Sequence, residues 1–198
     1  MFDTVLSNAT LTQNDETILS LTVAFNAVLG QLIKGEPLDD KIGGKLMSLV
    51  KSGELPFHAV TSGNLGPPKK GSSGPSRIGC FPSPDALLSP SYMAHAAKDP
   101  NIKIEPAWKV SYVYGMPCAA YHILPAAYYL SARFNDDFEN GVLHALNGGG
   151  QNQIRAMLTG ALIGAQVGID GIPSRFIDGL IEKNVLTSLV NQFTKQFE

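Results

Sequence analysis

The stretch NGGGQNQI, Asn147 to Ile154, places three glycines and a cluster of side-chain amides at the start of an apolar helix. The first N–H groups of a helix have no partner within it, and glycine lets the backbone adopt φ > 0 and approach a ligand closely. Together these make a cradle suited to an anion such as a phosphate or a carboxylate. Gln151, Asn152 and Gln153 can each donate and accept hydrogen bonds without bringing a charge. Asn147, Gly148, Gly149, Gly150, Gln151, Asn152 and Gln153 are therefore the candidate ligand-binding residues. A tight turn at a helical corner would use the same glycines. A second polar start, QNDET, carries Asp15 and Glu16. Their carboxylates suit the positive end of a helix dipole.

Other reactive residue types are scattered. His58, His95, His122 and His144 have no metal-ligand spacing, and His122 and His144 lie on apolar helices where a core or capping role is expected. Cys80 and Cys118 form neither a disulfide framework nor a zinc knuckle and read as buried thiols. Asp136 and Asp137 read as capping acids, and Trp108, Tyr112 and Tyr114 as core aromatics. GPPKKGSS is not a phosphate-binding P-loop, because its lysines precede the second glycine.

Composition narrows the class of protein. The 198 residues suffice for one domain, with 44% hydrophobic and 16% charged residues. A net charge of −2 and no basic cluster beyond Lys69-Lys70 argue against nucleic acid as partner. No apolar run approaches a membrane span, and the N-terminus has no secretory pattern, so a soluble cytoplasmic protein is expected.

The elements that must position these residues are helices. Ile18, Leu21, Phe25, Val28, Leu29 and Leu32 recur at helical spacing after Asp15 and predict an inward face. A second helix is predicted over 38–51, with Ile42, Leu46, Leu49 and Val50 inward, and short helical pieces over 85–98. Residues 61–84, rich in glycine, proline and serine, predict a long irregular loop. The chain turns helical again from Met116, with a kink or break expected at Pro125. Further helices are predicted over 136–147 and 152–167, one opening at Pro173, and a last amphipathic one. Gly160, Gly164 and Gly168 share a face, and each costs about 1 kcal/mol relative to alanine, so close backbone approach to a neighbouring helix is expected there. No alternating run makes a convincing strand, and the predicted class is all-α.

The segment ALNGGGQNQIRAMLTGALIGAQVGIDGIP resembles the C-terminal signature of the ADP-ribosylglycohydrolase family, whose usual form is Asn-x-Gly-Gly-Asp-x-Asp-Thr, then Gly-Ala-x-x-Gly-Ala, then Gly-Ile and Pro. Asn14, Asp15, Glu16 and Thr17 fall in the places of the family's Thr-Asp-Asp-Thr helix start, and YGMPCAAYHILPAAYYLSARF is similar to the helix before the signature. The amide-rich form resembles the J1-crystallin-like branch. The resemblance implies a single domain over 1–198 with an all-α orthogonal helical bundle. It also implies ADP-ribose-linked substrates and two Mg²⁺ ions held by the two acidic motifs, which makes Asp15 and Glu16 weak candidates for holding a metal ion.

Two departures follow. The signature aspartates fall at Gln151 and Gln153, and its threonine at Ile154. Two unit charges ~4 Å apart attract by about 4 kcal/mol at an effective dielectric near 20, so a dication forfeits several times that when two carboxylates become amides. The family's opening helix, with Gly-Asp-x-x-Gly, is not matched in MFDTVLSNATLTQ, which predicts an N-terminally short domain lacking the first core helix and exposing an apolar groove. The expected function is thus a family protein with a degenerate metal site, weak or inactive in catalysis, that binds an ADP-ribose-like or other anionic small molecule. The alternatives are an active Mg-dependent ADP-ribosyl hydrolase and a crystallin-like structural or interaction protein. No cofactor is expected, Mg²⁺ entering only through the resemblance, and the exposed groove leaves room for a homo-oligomer.

Overall fold

A computed structural model describes the backbone of residues 2–55 and 85–195. The predicted loop over 61–84, with Lys69, Lys70 and Cys80, and also His58, lies outside the described residues. Among the described residues the chain is all-α, without a strand, as its periodicity predicts.

The helices are α1 (Phe2–Thr10), α2 (Glu16–Ile33), α3 (Ile42–Lys51), α4 (Asp85–Lys98), α5 (Val110–Tyr114) and α6 (Ala120–Arg133). They continue with α7 (Phe138–Asn147), α8 (Asn152–Val167), α9 (Ser174–Asp178) and α10 (Lys183–Thr194). Helix α6 is the centre of the bundle: Ile123, Leu124 and every residue from Ala126 to Ala132 are buried. It packs against α2, α4, α5, α7 and α8.

Residues 1–13 were not expected to hold an element, yet Phe2–Thr10 is helical. Phe2, Val5, Leu6 and Ala9 stand at helical spacing and pack on the core alongside α2. Helix α1 thus covers part of α2.

Helix α2 starts where predicted, with Asp15 as its N-cap, but its inward face is rotated. The buried residues are Leu19, Ser20, Val23, Ala24, Ala27, Val28 and Leu32. The small residues of this stripe let α2 approach its neighbours closely, whereas Leu21 and Phe25 are only half-buried. The second predicted helix begins at Ile42 rather than 38, and Ile42, Leu46 and Val50 point inward as expected. Gly43 N–H donates to Ser91 Oγ at 2.7 Å and ties α3 to α4. Helix α4 is one continuous helix through Pro90, not several pieces. Helix α6 likewise runs unbroken through Pro125, and it starts at Ala120 rather than Met116.

The tight helix contact lies on α7, not at the glycine series of α8. A Cβ on Gly141 would sit 2.1 Å from Ile163 Cδ1. At Gly160 and Gly164 the nearest atoms would be 3.5 Å and 3.8 Å away, ordinary van der Waals distances, and Gly168 is the C-cap beyond the helix.

Candidate functional site

Helices α7 and α8 meet at the glycine turn. Asn147 ends α7, Gly148 caps it, and Gln151 is the N-cap of α8, without a side-chain capping bond. Gly149 and Gly150 have φ of +67° and +60°, a region that costs roughly 1–2 kcal/mol for residues with a Cβ. Gly148 has an ordinary φ of −70°, so its glycine answers to space instead. A Cβ there would lie 2.8 Å from Ser111 Oγ and 2.9 Å from both Arg155 Nη2 and the Trp108 carbonyl.

The segment 108–116 wraps this turn from outside. Ser111 Oγ donates to the Gly148 carbonyl at 2.5 Å, and Gln151 N–H donates to the Met116 carbonyl at 3.1 Å. This second bond explains why Met116 is not yet helical: its carbonyl serves the turn. The Asn152 side chain donates to the Leu146 carbonyl at 3.2 Å, and its own N–H donates to the Gly150 carbonyl at 2.8 Å. The backbone cradle is therefore narrower than the glycine count suggests, because the N–H groups of Gln151 and Asn152 are already used. Among the described residues no acceptor meets the N–H groups of Gln153 and Ile154, the unpaired donors of the first turn of α8. The side chains of Gln151 and Gln153 are exposed beside them.

Beneath the turn lies Arg155, fully buried. Its Nε donates to the Ala145 carbonyl at 3.1 Å, and Nη2 donates to the Gly149 carbonyl. Nη1 is buried without a partner among the described residues. Burial lowers its pKa below the usual guanidinium value. Nothing in the motif-based reading singled out Arg155. The available signal was a lone cation between Ile154 and Ala156 on an apolar helix face.

Next to the turn, an apolar cleft of about 280 Å³ opens between α2, α6 and α8. Leu21, Thr22 and Phe25 line one wall, Ile154 and Leu158 another, and Cys118 sits at the edge. Leu21 and Phe25, expected in the core, thus form part of a surface cleft. Cys118, expected to be a buried thiol, is exposed and free.

The metal candidates fare differently. Asp15 Oδ1 accepts from Ile18 N–H at 3.0 Å, a helix cap, and Asp15 does not line the cleft. The side chain of Glu16 lies outside the described residues. Among the described residues no three His, Cys, Asp or Glu side chains converge as a metal-ligating group. His144 has the expected structural role: its Nδ1 accepts from Trp108 N–H at 3.1 Å, and its ring stacks on Phe134 at 4.9 Å. His122 lies against the Tyr114 carbonyl. Tyr114 packs beside Tyr129, but Tyr112 is exposed rather than in the core, edge-on to Trp108. Asp137, as expected, caps α7.

An all-helical bundle with a glycine-led start to α8, beside a cleft walled by α2, α6 and α8, defines the class. The chain belongs to the ADP-ribosylglycohydrolase family, whose sequence model matches residues 1–198. No curated protein and no solved structure matches the chain. Among the described residues no helix is long and apolar enough to cross a membrane.

Proposed function

We propose that this family member binds an ADP-ribose-like or other anionic ligand at the Gly148–Gln153 corner and hydrolyses it weakly or not at all. The observation that carries the reading is Ile154. It stands in the place of a metal-binding threonine and instead forms the wall of an apolar cleft, flanked by the neutral amides Gln151 and Gln153. Asp15 is engaged as a helix cap. These donors do not fit a pair of Mg²⁺ ions, which favour charged oxygens in octahedral array.

What they do fit is an anion. The N–H groups of Gln153 and Ile154, without an acceptor among the described residues, the positive end of α8 and the exposed amide side chains all favour negative charge. The apolar cleft alongside suits a flat, weakly polar moiety of the same ligand. The amide-rich signature supports placing the chain in the J1-crystallin-like branch.

The test is turnover of ADP-ribosyl-arginine and ADP-ribosyl-serine peptides, with a thermal shift in ADP-ribose alone. We expect no appreciable release of ADP-ribose and a metal-independent rise in melting temperature. Efficient, chelator-sensitive release would establish the hydrolase instead, and no shift at all would leave a crystallin-like structural role.

A further inference from the structure

The buried guanidinium of Arg155 has a consequence for selectivity. No carboxylate pairs with it: every described ion pair lies elsewhere. Among the described residues its hydrogen bonds go to carbonyls, those of Ala145 in the last turn of α7 and of Gly149 in the turn itself. The carbonyl end of a helix carries partial negative charge, which offsets part of the cost of burying a cation but leaves a full positive charge in place. That charge lies directly beneath Gly148, where a Cβ would come within 2.9 Å of Nη2. Nη1 is buried and has no acceptor among the described residues.

We propose that Arg155 is a positioning residue that gives the corner its charge preference. By holding the Gly149 carbonyl inward, it fixes the turn so that the first N–H groups of α8 face outward. With no carboxylate partner among the described residues and in a medium of low polarisability, it draws anions to the corner and repels divalent cations. This inference rests on the anion-binding reading above and deepens it. A charged brace distinguishes the corner from a plain glycine turn, which would hold the same shape without a cation under it.

The experiment titrates ADP-ribose, inorganic pyrophosphate and adenosine into the wild-type chain, Arg155→Met and Arg155→Lys. Amide hydrogen exchange over residues 148–154 is followed in parallel. We expect Arg155→Met to weaken ADP-ribose and pyrophosphate by about tenfold or more while leaving adenosine, which is uncharged, within about twofold. Arg155→Lys, which keeps the charge but cannot span both carbonyls, should weaken the anions by a smaller factor and speed exchange in the turn. Equal losses for adenosine and for the anions would reduce Arg155 to a structural brace and overturn the proposal, as would unchanged affinity in a folded variant. If Arg155→Met does not fold, Arg155→Lys decides the matter: unchanged exchange and unchanged anion affinity overturn it. A wild-type chain that binds none of the anions sinks the anion-binding reading and this inference together, whereas a binding wild type with insensitive variants sinks this inference alone.

Discussion

The backbone N–H of Gln151 donates to the carbonyl of Met116 at 3.1 Å, across a sequence gap that spans all of α6 and α7. This bond pins the start of α8 to the segment leading into the central helix. Because the turn is held from outside by Ser111 and Met116 and from beneath by Arg155, its conformation is fixed before any ligand arrives.

Gly150 should be the least replaceable residue of the turn. Its φ is +60°, and a Cβ would meet the Met116 carbonyl at 2.6 Å. Gly150→Ala should destabilise the fold by about 2 kcal/mol or more, combining the left-handed backbone cost with a collision against backbone. Gly35 provides the contrast, with φ +86° and nothing within 4 Å, so Gly35→Ala should cost about 1–2 kcal/mol from the backbone alone. Urea unfolding of the two variants checks the difference.

Asp137 should lend the fold a pH-dependent increment of stability. The Asn140 side chain and then its N–H donate to the carboxylate, and they hold its pKa below the ordinary carboxylate range. A depressed native pKa means the stabilisation is present above about pH 4 and is lost as pH falls through the lower native value. Asp137→Ala should therefore lower the melting temperature at neutral pH, and the gap to wild type should narrow as pH falls through the lowered native value. Thermal melts across that range measure it.

Tyr128 offers a stabilising change. It is buried on α6, its hydroxyl has no partner among the described residues, and burial pushes its pKa up. Tyr128→Phe removes an unsatisfied polar group at nearly constant shape. The stability should be unchanged or raised by up to about 1–2 kcal/mol, read from denaturant midpoints. A clear loss would show that the hydroxyl has a partner after all.

Much of the fold was legible because caps and periodicity agreed. Helix α8 begins and ends where the Gly148–Gly150 run and Gly168 place it, and α7 begins at its acidic cap. The orientation of α2 was not legible, because Leu21 and Phe25 look like core residues until the bundle turns them toward a cleft. Helix α1 has no clear capping signal in the sequence, although Phe2, Val5, Leu6 and Ala9 carry the helical spacing. The glycine turn was found from its composition. The demand at Gly148, the use of Gln151 and Asn152 N–H groups by the protein itself, and the brace from Arg155 are tertiary facts with no local pattern.

Returning acids to the signature should restore affinity for a dication. The triple variant Gln151→Asp, Gln153→Asp, Ile154→Thr supplies two carboxylates and a hydroxyl at the α8 start. We expect Mg²⁺ to bind it at least about tenfold more tightly than the wild-type chain, measured by calorimetry. Equal affinities would mean that these positions do not face a cation site.

The most direct test of the account is calorimetric titration of ADP-ribose into the purified chain, once in excess chelator and once in millimolar Mg²⁺. The account predicts saturable binding in both, with affinities within about threefold of each other. Binding that appears only when Mg²⁺ is present would contradict it.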